Sequence, residues 1–128
     1  MSRWRILRNA ESEAVVLPRV RMCESFLCHL RGLQFVSRLP ADEGLLFVTR
    51  GESRTNSTIH MFFMMFSIGV IWLDADQRVV DMAYAKPWRP MYAPKAPAQF
   101  YLEANPEVME RVAIGDRLRF DEAAPALS

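Results

Sequence analysis

One apolar block, residues 59–73, constrains the fold more than any other part of the sequence. Within these fifteen residues only His60, Ser67 and Gly69 interrupt the apolar side chains. A membrane crossing needs about 20 residues, so the block is too short to span a bilayer. Apolar side chains fall on both faces of an extended chain here, which is typical of a strand buried on both sides. A buried helix has the same periodicity, but the aromatic and β-branched content favours two strands, at 58–66 and 68–73.

The rest of the chain predicts further short strands and two helices. Alternating or short apolar runs predict strands at 4–6, 14–17, 45–49, 78–85, 99–104 and 117–120. The strands at 68–73 and 78–85 flank a polar turn and are predicted to form a β-hairpin. Asn105 and Pro106 predict a short helix that ends at Val112. The predicted fold class is therefore mainly β, a β-sandwich or irregular barrel with one main helix and one short helix.

The main helix is predicted between Val20 and Leu30, where the apolar residues recur at helical spacing. Gly32 follows at a position that suits a helix C-cap. Phe26 on this helix and Phe63 in the first apolar strand are predicted to be core residues. Truncating either side chain to alanine is predicted to cost roughly 3–5 kcal/mol.

Cys23 and Cys28 are the two cysteines of the chain. Both fall within the predicted helix, five residues apart, where their side chains point in different directions. We therefore expect no disulfide between them, and reduced cysteines fit a cytoplasmic protein. Together with His29 they lack the spacing and the second ligand cluster of a metal site, so we predict neither a metal nor a cofactor.

Length and charge describe a single domain with a core of its own. The chain has 128 residues, of which 51% are hydrophobic and 24% are charged. A chain of this size buries enough surface to fold without disulfides or a structural metal. The formal net charge of +1 argues against nucleic acid as a partner and against attraction to a membrane. We expect one domain over 1–121 and a loose tail over 122–128, and the sequence predicts no oligomeric state.

Several short motifs resemble, in order and spacing, those of one known family. They are Arg31-Gly32-Leu33, Leu39-Pro40, Glu43-Gly44-Leu45-Leu46, the run at 57–64, the run at 71–74, Lys86-Pro87-Trp88-Arg89, Tyr101-Leu102-Glu103 and Gly115-Asp116-Arg117-Leu118. Together they span most of the chain and are similar to the family called domain of unknown function 192. The resemblance implies a compact, mainly-β, sandwich-like domain from bacteria or archaea. It implies no activity, substrate or cofactor.

The sequence departs from that family after residue 64. The family pattern places an arginine at the position of Met65 and an aspartate at that of Gly69. Residues four apart in a strand share a face, so an arginine and an aspartate at these positions would pair. The loss of both residues leaves no unpaired buried charge, whereas the loss of one would. We therefore predict that Met65→Arg combined with Gly69→Asp is tolerated better than either change alone.

His60 is the strongest single candidate for a functional residue. It interrupts an apolar run, and an imidazole acts as acid, base or ligand near neutral pH. The favoured alternative is a core histidine bonded to a backbone carbonyl. Arg31 and Glu43 are candidates for a polar pair beside it, although a structural salt bridge between the helix end and the next turn is favoured.

Trp88 and Arg89 are the remaining candidates, and they lie in a loop bounded by prolines. An aromatic ring beside a guanidinium suits a sugar, a planar ligand or a protein partner. The favoured alternative is a tryptophan that folds onto the sheet as a lid over the core.

Two classes of function follow from these candidates. The favoured class is a non-catalytic domain that binds a small polar or sugar-like ligand, or a protein segment, because aromatic and polar residues are present without an activated nucleophile. The alternative is a small enzyme with a site centred on His60 and completed by Arg31 and Glu43. A pocket that holds these three within hydrogen-bond reach would favour the enzyme.

Overall fold

A computed structural model describes residues 4–25, 28, 32–33 and 38–122 of the chain. Seven strands form its framework. They are β1 (Trp4–Asn9), β2 (Val15–Cys23), β3 (Glu43–Ser53), β4 (Ile68–Leu73), β5 (Val79–Ala85), β6 (Ala98–Ala104) and β7 (Leu118–Glu122). A short 3-10 helix, Pro106–Glu110, follows β6. The prediction of a mainly-β protein is confirmed.

All seven strands belong to one sheet, in the order β5-β4-β6-β3-β2-β1-β7. Every neighbouring pair is antiparallel except β2 and β3, which run parallel. The sheet curls until the start of β5 meets the start of β7, where Val79 N donates to Asp116 O at 2.8 Å. One bridge, between Arg78 and Arg117, joins these two ends. Within the described residues the architecture is therefore a single curled sheet, neither a sandwich of two sheets nor a closed barrel.

The predicted hairpin is present as β4 and β5, which pair in antiparallel register from Ile68–Ala85 to Leu73–Val79. The carboxylate of Asp74 stabilises the turn, because it accepts hydrogen bonds from the backbone N–H groups of Asp76 at 2.9 Å and Arg78 at 3.0 Å. Gln77 takes the left-handed conformation that glycine usually supplies in such turns.

The main helix predicted from Val20 is wrong in its first part, because β2 continues to Cys23. The apolar spacing there arises from strand side chains that face a core, as Val20 and Cys23 are both fully buried. Glu24 and Ser25 are not helical either, Cys28 is helical, and Phe26 lies outside the described residues. The short second helix is present as the 3-10 turn after Asn105.

The disulfide that the sequence argued against is present between Cys23 and Cys28. Cys23 ends strand β2 rather than lying in a helix, so the argument from helical spacing does not apply to this pair. The two Cα atoms are 5.6 Å apart, a spacing that a disulfide bridges. Disulfides persist in oxidising compartments. The expected cytoplasmic location therefore loses the support that reduced cysteines offered.

Two hydrophobic cores lie on opposite faces of the sheet. The first core packs around Leu17, Leu46, Ile71 and Leu102 and is covered by Val108 of the 3-10 helix. The second core packs around Phe47, Trp72 and Tyr101 and is covered by Ile59, Met61 and Met64. The alternating residues of β4 and β6 contribute to both cores, which explains why β4 is buried at every position.

The strand predicted at 58–66 is absent. Ile59 forms one isolated bridge with Tyr92, and the residues after it form turns and bends. Phe63, predicted as core, is 43% exposed. Met65 is exposed and lies outside β4, whereas Gly69 is buried in β4. A Cβ at Gly69 would stand 3.1–3.2 Å from atoms of Met109, Pro106 and Val108. The predicted pairing of positions 65 and 69 on one strand is therefore wrong.

Candidate functional site

His60 stands on the irregular segment that covers the second core. The backbone of Ile59 exchanges two hydrogen bonds with Tyr92, at 2.9 Å and 2.8 Å, and so fixes the segment beside the loop after β5. His60 itself is exposed, and its Nδ1 accepts a hydrogen bond from the backbone N–H of Phe62 at 3.2 Å. The interpretation as a core histidine is therefore wrong.

Trp88 and Arg89 lie on the loop that pairs with this segment. Met61 accepts a hydrogen bond from Trp88 N at 2.7 Å and donates to the Arg89 carbonyl at 2.8 Å. The Trp88 side chain is 52% exposed, so the tryptophan is not a lid over the core. Its ring meets that of Phe63 edge-on, with the centroids 5.1 Å apart.

Five large apolar side chains are exposed on these two paired stretches, and we refer to them as the aromatic surface. They are Phe62, Phe63, Met65, Trp88 and Met91. Phe63 and Trp88 both have positive φ, 62° and 67°. Bulky L-residues rarely adopt this conformation, because Cβ crowds the following carbonyl. The backbone strain thus occurs at two exposed aromatic residues that contact each other.

An outer cavity of about 500 Å³ lies where β1, β2 and β3 meet the connection from β2 to β3. Trp4 of β1 and Arg21 of β2 are cross-strand partners, and Arg21 pairs in turn with Leu45 of β3. All three side chains line the cavity, together with Ser25, Cys28, Gly32, Leu33, Leu39, Glu43 and Gly44. The guanidinium of Arg19 lies 4.2 Å from the centre of the Trp4 ring and holds the indole by a cation–π contact.

An inner cavity of about 90 Å³ lies on the face of the second core. Its walls include Phe47 and Tyr101, whose rings stack at 4.6 Å, as well as Met61, Met64 and His60. Gly32 and Leu33 line this cavity and the outer one, so the two cavities adjoin. Gly32 adopts φ 51° and a Cβ there would meet the Phe47 ring at 3.3 Å, so the close approach favours glycine.

Glu103 of β6 lines the inner cavity and is the buried acidic residue of the described chain, only 7% exposed. Its strand neighbours are Leu45 of β3 and Val70 of β4. Burial raises the pKa of its carboxyl to about 8. Burial, and next the nearby Glu103 charge, raise the pKa of the Tyr101 phenol. A carboxylic acid that is neutral near pH 7 can donate a proton to a ligand or release it when a cation binds.

The predicted site residues do not share one cavity in the described part of the chain. His60 lines the inner cavity, Glu43 lines the outer one, and Trp88 and Arg89 lie on the aromatic surface. Arg31 lies outside the described residues. Sequence reasoning missed Glu103, although the Tyr101-Leu102-Glu103 motif ends an otherwise apolar strand. That interruption of an apolar strand by an acidic residue is the signal that could have identified it.

The described residues include no group of three or more histidine, cysteine, aspartate or glutamate side chains arranged to hold a metal ion. No helix in the described part of the chain is long and apolar enough to cross a membrane.

Comparison with known proteins yields a family match and several relatives. The family described as Uncharacterized ACR, COG1430 (DUF192) matches residues 6–120. A UPF0127 protein of Thermococcus kodakarensis is 46% identical over 66% of this chain and 52% of its own length. A UPF0127 protein of Thermococcus sibiricus is 36% identical over 91% of this chain and 75% of its own length. The match thus spans only about half of the T. kodakarensis protein.

Two solved structures are similar in fold. A protein of Sinorhizobium meliloti 1021, suggested in its description to be a transcription regulator, superposes with a TM-score of 0.80 at 20% identity, over 91% of this chain and 92% of its own. A protein of unknown function from Novosphingobium aromaticivorans superposes with a TM-score of 0.72 at 19% identity, over 91% of this chain and 83% of its own. At such identities the similarity supports the fold alone.

Proposed function

Given that the chain belongs to the domain of unknown function 192 family, we propose that it is a non-catalytic domain that binds a small polar or sugar-like ligand. The outer cavity carries the proposal, because its volume of about 500 Å³ lies within the range of small-molecule sites. The cavity lies on a scaffold of three hydrogen-bonded strands, which keeps its walls in place.

The lining of the outer cavity combines apolar walls with a few polar groups. Leu33, Leu39 and Leu45 supply apolar surface, and Arg21 and Glu43 supply a donor and an acceptor. This combination is typical of ligand pockets, in which a small number of polar groups orient a mostly apolar site. Hydroxyl groups can accept from a guanidinium and donate to a carboxylate, so a polyol would satisfy both side chains.

The aromatic surface supports a second candidate, the docking of a protein segment. Trp, Phe, Met and Arg are enriched in the energetically important parts of protein interfaces. Trp88 and Phe63 are exposed, in edge-on contact and held at strained backbone angles, which presents a preorganised contact. Arg89 is exposed next to Trp88. We retain this candidate because exposed apolar patches of this kind often mark interaction sites.

The enzyme alternative has less support. It requires His60, Arg31 and Glu43 within hydrogen-bond reach. His60 and Glu43 line different cavities, and Arg31 is not among the described residues. The suggestion made for the S. meliloti protein also does not carry over, because 20% identity supports a shared fold only.

A thermal-shift screen against a library of sugars and polar metabolites tests the proposal. A ligand at about 100 times its Kd stabilises the native state by about 2.7 kcal/mol and so raises the Tm by several degrees. We expect Arg21→Ala and Glu43→Gln to abolish the shift of a true ligand. Arg50→Ala serves as the matched control, because Arg50 is exposed and is not among the lining residues.

The outcome of the screen discriminates between the candidates. A ligand shift that survives Arg21→Ala and Glu43→Gln would contradict binding in the outer cavity. A shift that is lost only in Trp88→Ser would move the site to the aromatic surface. A library of small molecules without any stabilising compound would count against the small-ligand proposal and favour the protein-segment candidate.

A further inference from the structure

We infer that the inner cavity is a subsite for a cationic group, an ammonium or guanidinium, that Glu103 holds as an ion pair. The inference rests on the proposed ligand-binding function and specifies the chemistry of the ligand. The cation would enter the inner cavity, and the rest of the ligand would occupy the outer cavity through the shared walls at Gly32 and Leu33.

Glu103 is buried without a partner among the described residues. The side chain is 7% exposed and makes no hydrogen bond or ion pair with any described residue. Buried carboxyl groups are almost always hydrogen-bonded, because burial without a partner is costly. No fully enclosed side-chain nitrogen or oxygen of the described residues lacks a partner. The Glu103 oxygens are therefore open to the cavity that the side chain lines.

The aromatic walls and the size of the inner cavity suit a small cation. Phe47 and Tyr101 stack with an interplanar angle of 8°, and Met61 and Met64 add apolar surface to a lining that also includes the polar side chains of Thr58, His60 and Glu103. Aromatic faces attract cations, and a partly buried site strengthens an ion pair relative to water. A volume of about 90 Å³ corresponds to about three water molecules, so the cavity admits an ammonium or guanidinium group.

The groups around the Glu103 carboxyl determine which ligand charge the inner cavity favours. His60 faces the cavity from the covering segment, and Tyr101 faces it from the same strand. The strand neighbours on β3 and β4, Leu45 and Val70, are uncharged. An acidic group among apolar neighbours disfavours an anionic ligand. A lone carboxylate is a poor site for a metal ion, which needs several ligands.

Binding of a cation is expected to release a proton. Burial raises the pKa of Glu103 to about 8, so the carboxyl is largely protonated at pH 7 in the free protein. A cation favours the carboxylate, and the proton leaves to solvent as the ion pair forms. Affinity for the cation should therefore increase with pH until the carboxyl is ionised in the free protein. The affinity for a neutral hydrogen-bond acceptor would instead decrease with pH, because such a ligand requires the protonated carboxyl as donor.

Isothermal titration with four matched probes tests the inference. We would use n-butylguanidinium, n-butylammonium, n-butanol and butyrate, at pH 6.5, 7.5 and 8.5, in two buffers of different ionisation enthalpy. Linkage of one proton predicts that the Kd of the cations decreases about tenfold from pH 6.5 to 7.5, with about one proton released at pH 6.5. We expect Glu103→Gln to weaken cation binding at least tenfold at pH 8.5 and to remove the pH dependence.

His60→Gln is the control for the imidazole that also lines the cavity. The pH dependence of cation binding should survive this change, whereas its loss would assign the proton to His60 and overturn the role of Glu103. Circular dichroism checks that both variants fold. Equal binding of n-butanol and n-butylammonium, or cation binding that Glu103→Gln leaves unchanged, would also overturn the inference.

Titration of Glu103 in the ligand-free protein by NMR provides an independent test. A pKa near 4.5 would show that a group of the chain itself already pairs with the carboxyl, and the inner cavity would then hold no ligand cation. The cation subsite can be disproved while the proposed ligand-binding function stands. A neutral ligand that Arg21→Ala abolishes and Glu103→Gln does not would leave the proposed function intact and remove the cation subsite.

Discussion

Strand β4 and the segment at 59–66 are similarly apolar in sequence, yet they differ in structure. All six residues of β4 are buried. The segment buries Ile59, Met61 and Met64 but exposes Phe62, Phe63 and Met65. Local hydrophobicity therefore indicates that a stretch contributes to a core, but it does not determine whether the stretch is a strand.

The difference arises from the hydrogen-bonding partners of the backbone. β4 lies between β5 and β6, so both edges of the strand are paired along its length. Among the described residues, the segment at 59–66 forms backbone hydrogen bonds with one other stretch, the loop at 88–92, through Ile59 and Met61. With few ladder bonds available, the chain turns at Phe63 and places Met64 instead of Phe63 against the core. Covering the sheet thus requires three side chains, not a regular strand.

Trp72 and Trp88 provide the strongest test of this comparison. Trp72 of β4 is 1% exposed, and its indole N–H donates to the Ser57 carbonyl at 2.7 Å. We expect Trp72→Ala to destabilise the protein by about 3–5 kcal/mol, because it leaves a cavity and an unpaired carbonyl. Trp88→Ala, in the loop beside the segment, should cost less than about 1 kcal/mol. Urea unfolding of both variants measures the difference, and similar losses would contradict it.

Glu103, which lines the inner cavity, extends the comparison to pH. Burial raises the pKa of Glu103 from about 4.5 to about 8, so the folded state binds more protons than the unfolded state between these values. Stability should therefore be highest at and below about pH 4.5 as far as this group is concerned. It should decrease as the pH rises towards 8, by at most about 1.4 kcal/mol per pH unit.

Urea unfolding of the wild type and two variants between pH 5 and 8 measures this effect. Glu103→Gln should be more stable than the wild type at pH 8, because glutamine has no ionisable group at this buried position. Its free energy of unfolding should also vary less with pH. His60→Gln should retain the wild-type slope, since His60 is exposed on the segment. A Glu103→Gln profile parallel to that of the wild type would contradict the prediction.

The smallest expected effect concerns two neighbours within the segment. Phe63→Ala should cost at most about 1 kcal/mol, because the side chain is 43% exposed. Its control is Met61→Ala, which removes a side chain that is 1% exposed and should cost about 2–5 kcal/mol. Phe63→Gly should be more stable than Phe63→Ala by about 1 kcal/mol, since glycine adopts positive φ without strain. An alanine variant more stable than the glycine variant would contradict the turn at Phe63.

Much of the sheet could be predicted from the sequence, because strands with partners on both sides leave a clear pattern. The hairpin of β4 and β5 and the strand β6 were predicted from apolar runs and turn residues, and both are present. The strand predicted at 14–17 instead continues to Cys23 as β2, and Pro18 lies within it at a position without a partner in β1, where the ladder is irregular.

The candidate site was less predictable, because its residues come from distant parts of the chain. His60 and Glu103 meet at one cavity although 43 positions separate them. The expected companions of His60 did not include Glu103, because an acidic residue in an alternating strand is usually on the solvent face. The segment at 59–66 covers that face of the sheet. Glu103 therefore lies in a cavity and not on the solvent face.

The sequence by itself determined the family, the mainly-β class and the apolar runs that form the sheet, since these depend on composition, order and local periodicity. Only the tertiary structure decided which apolar residues are buried, that Cys23 meets Cys28 and that Glu103 faces the inner cavity. The physical reason is that burial and pairing depend on a second stretch of chain. A side chain becomes a core residue, a disulfide partner or a candidate ligand only when another segment packs against it.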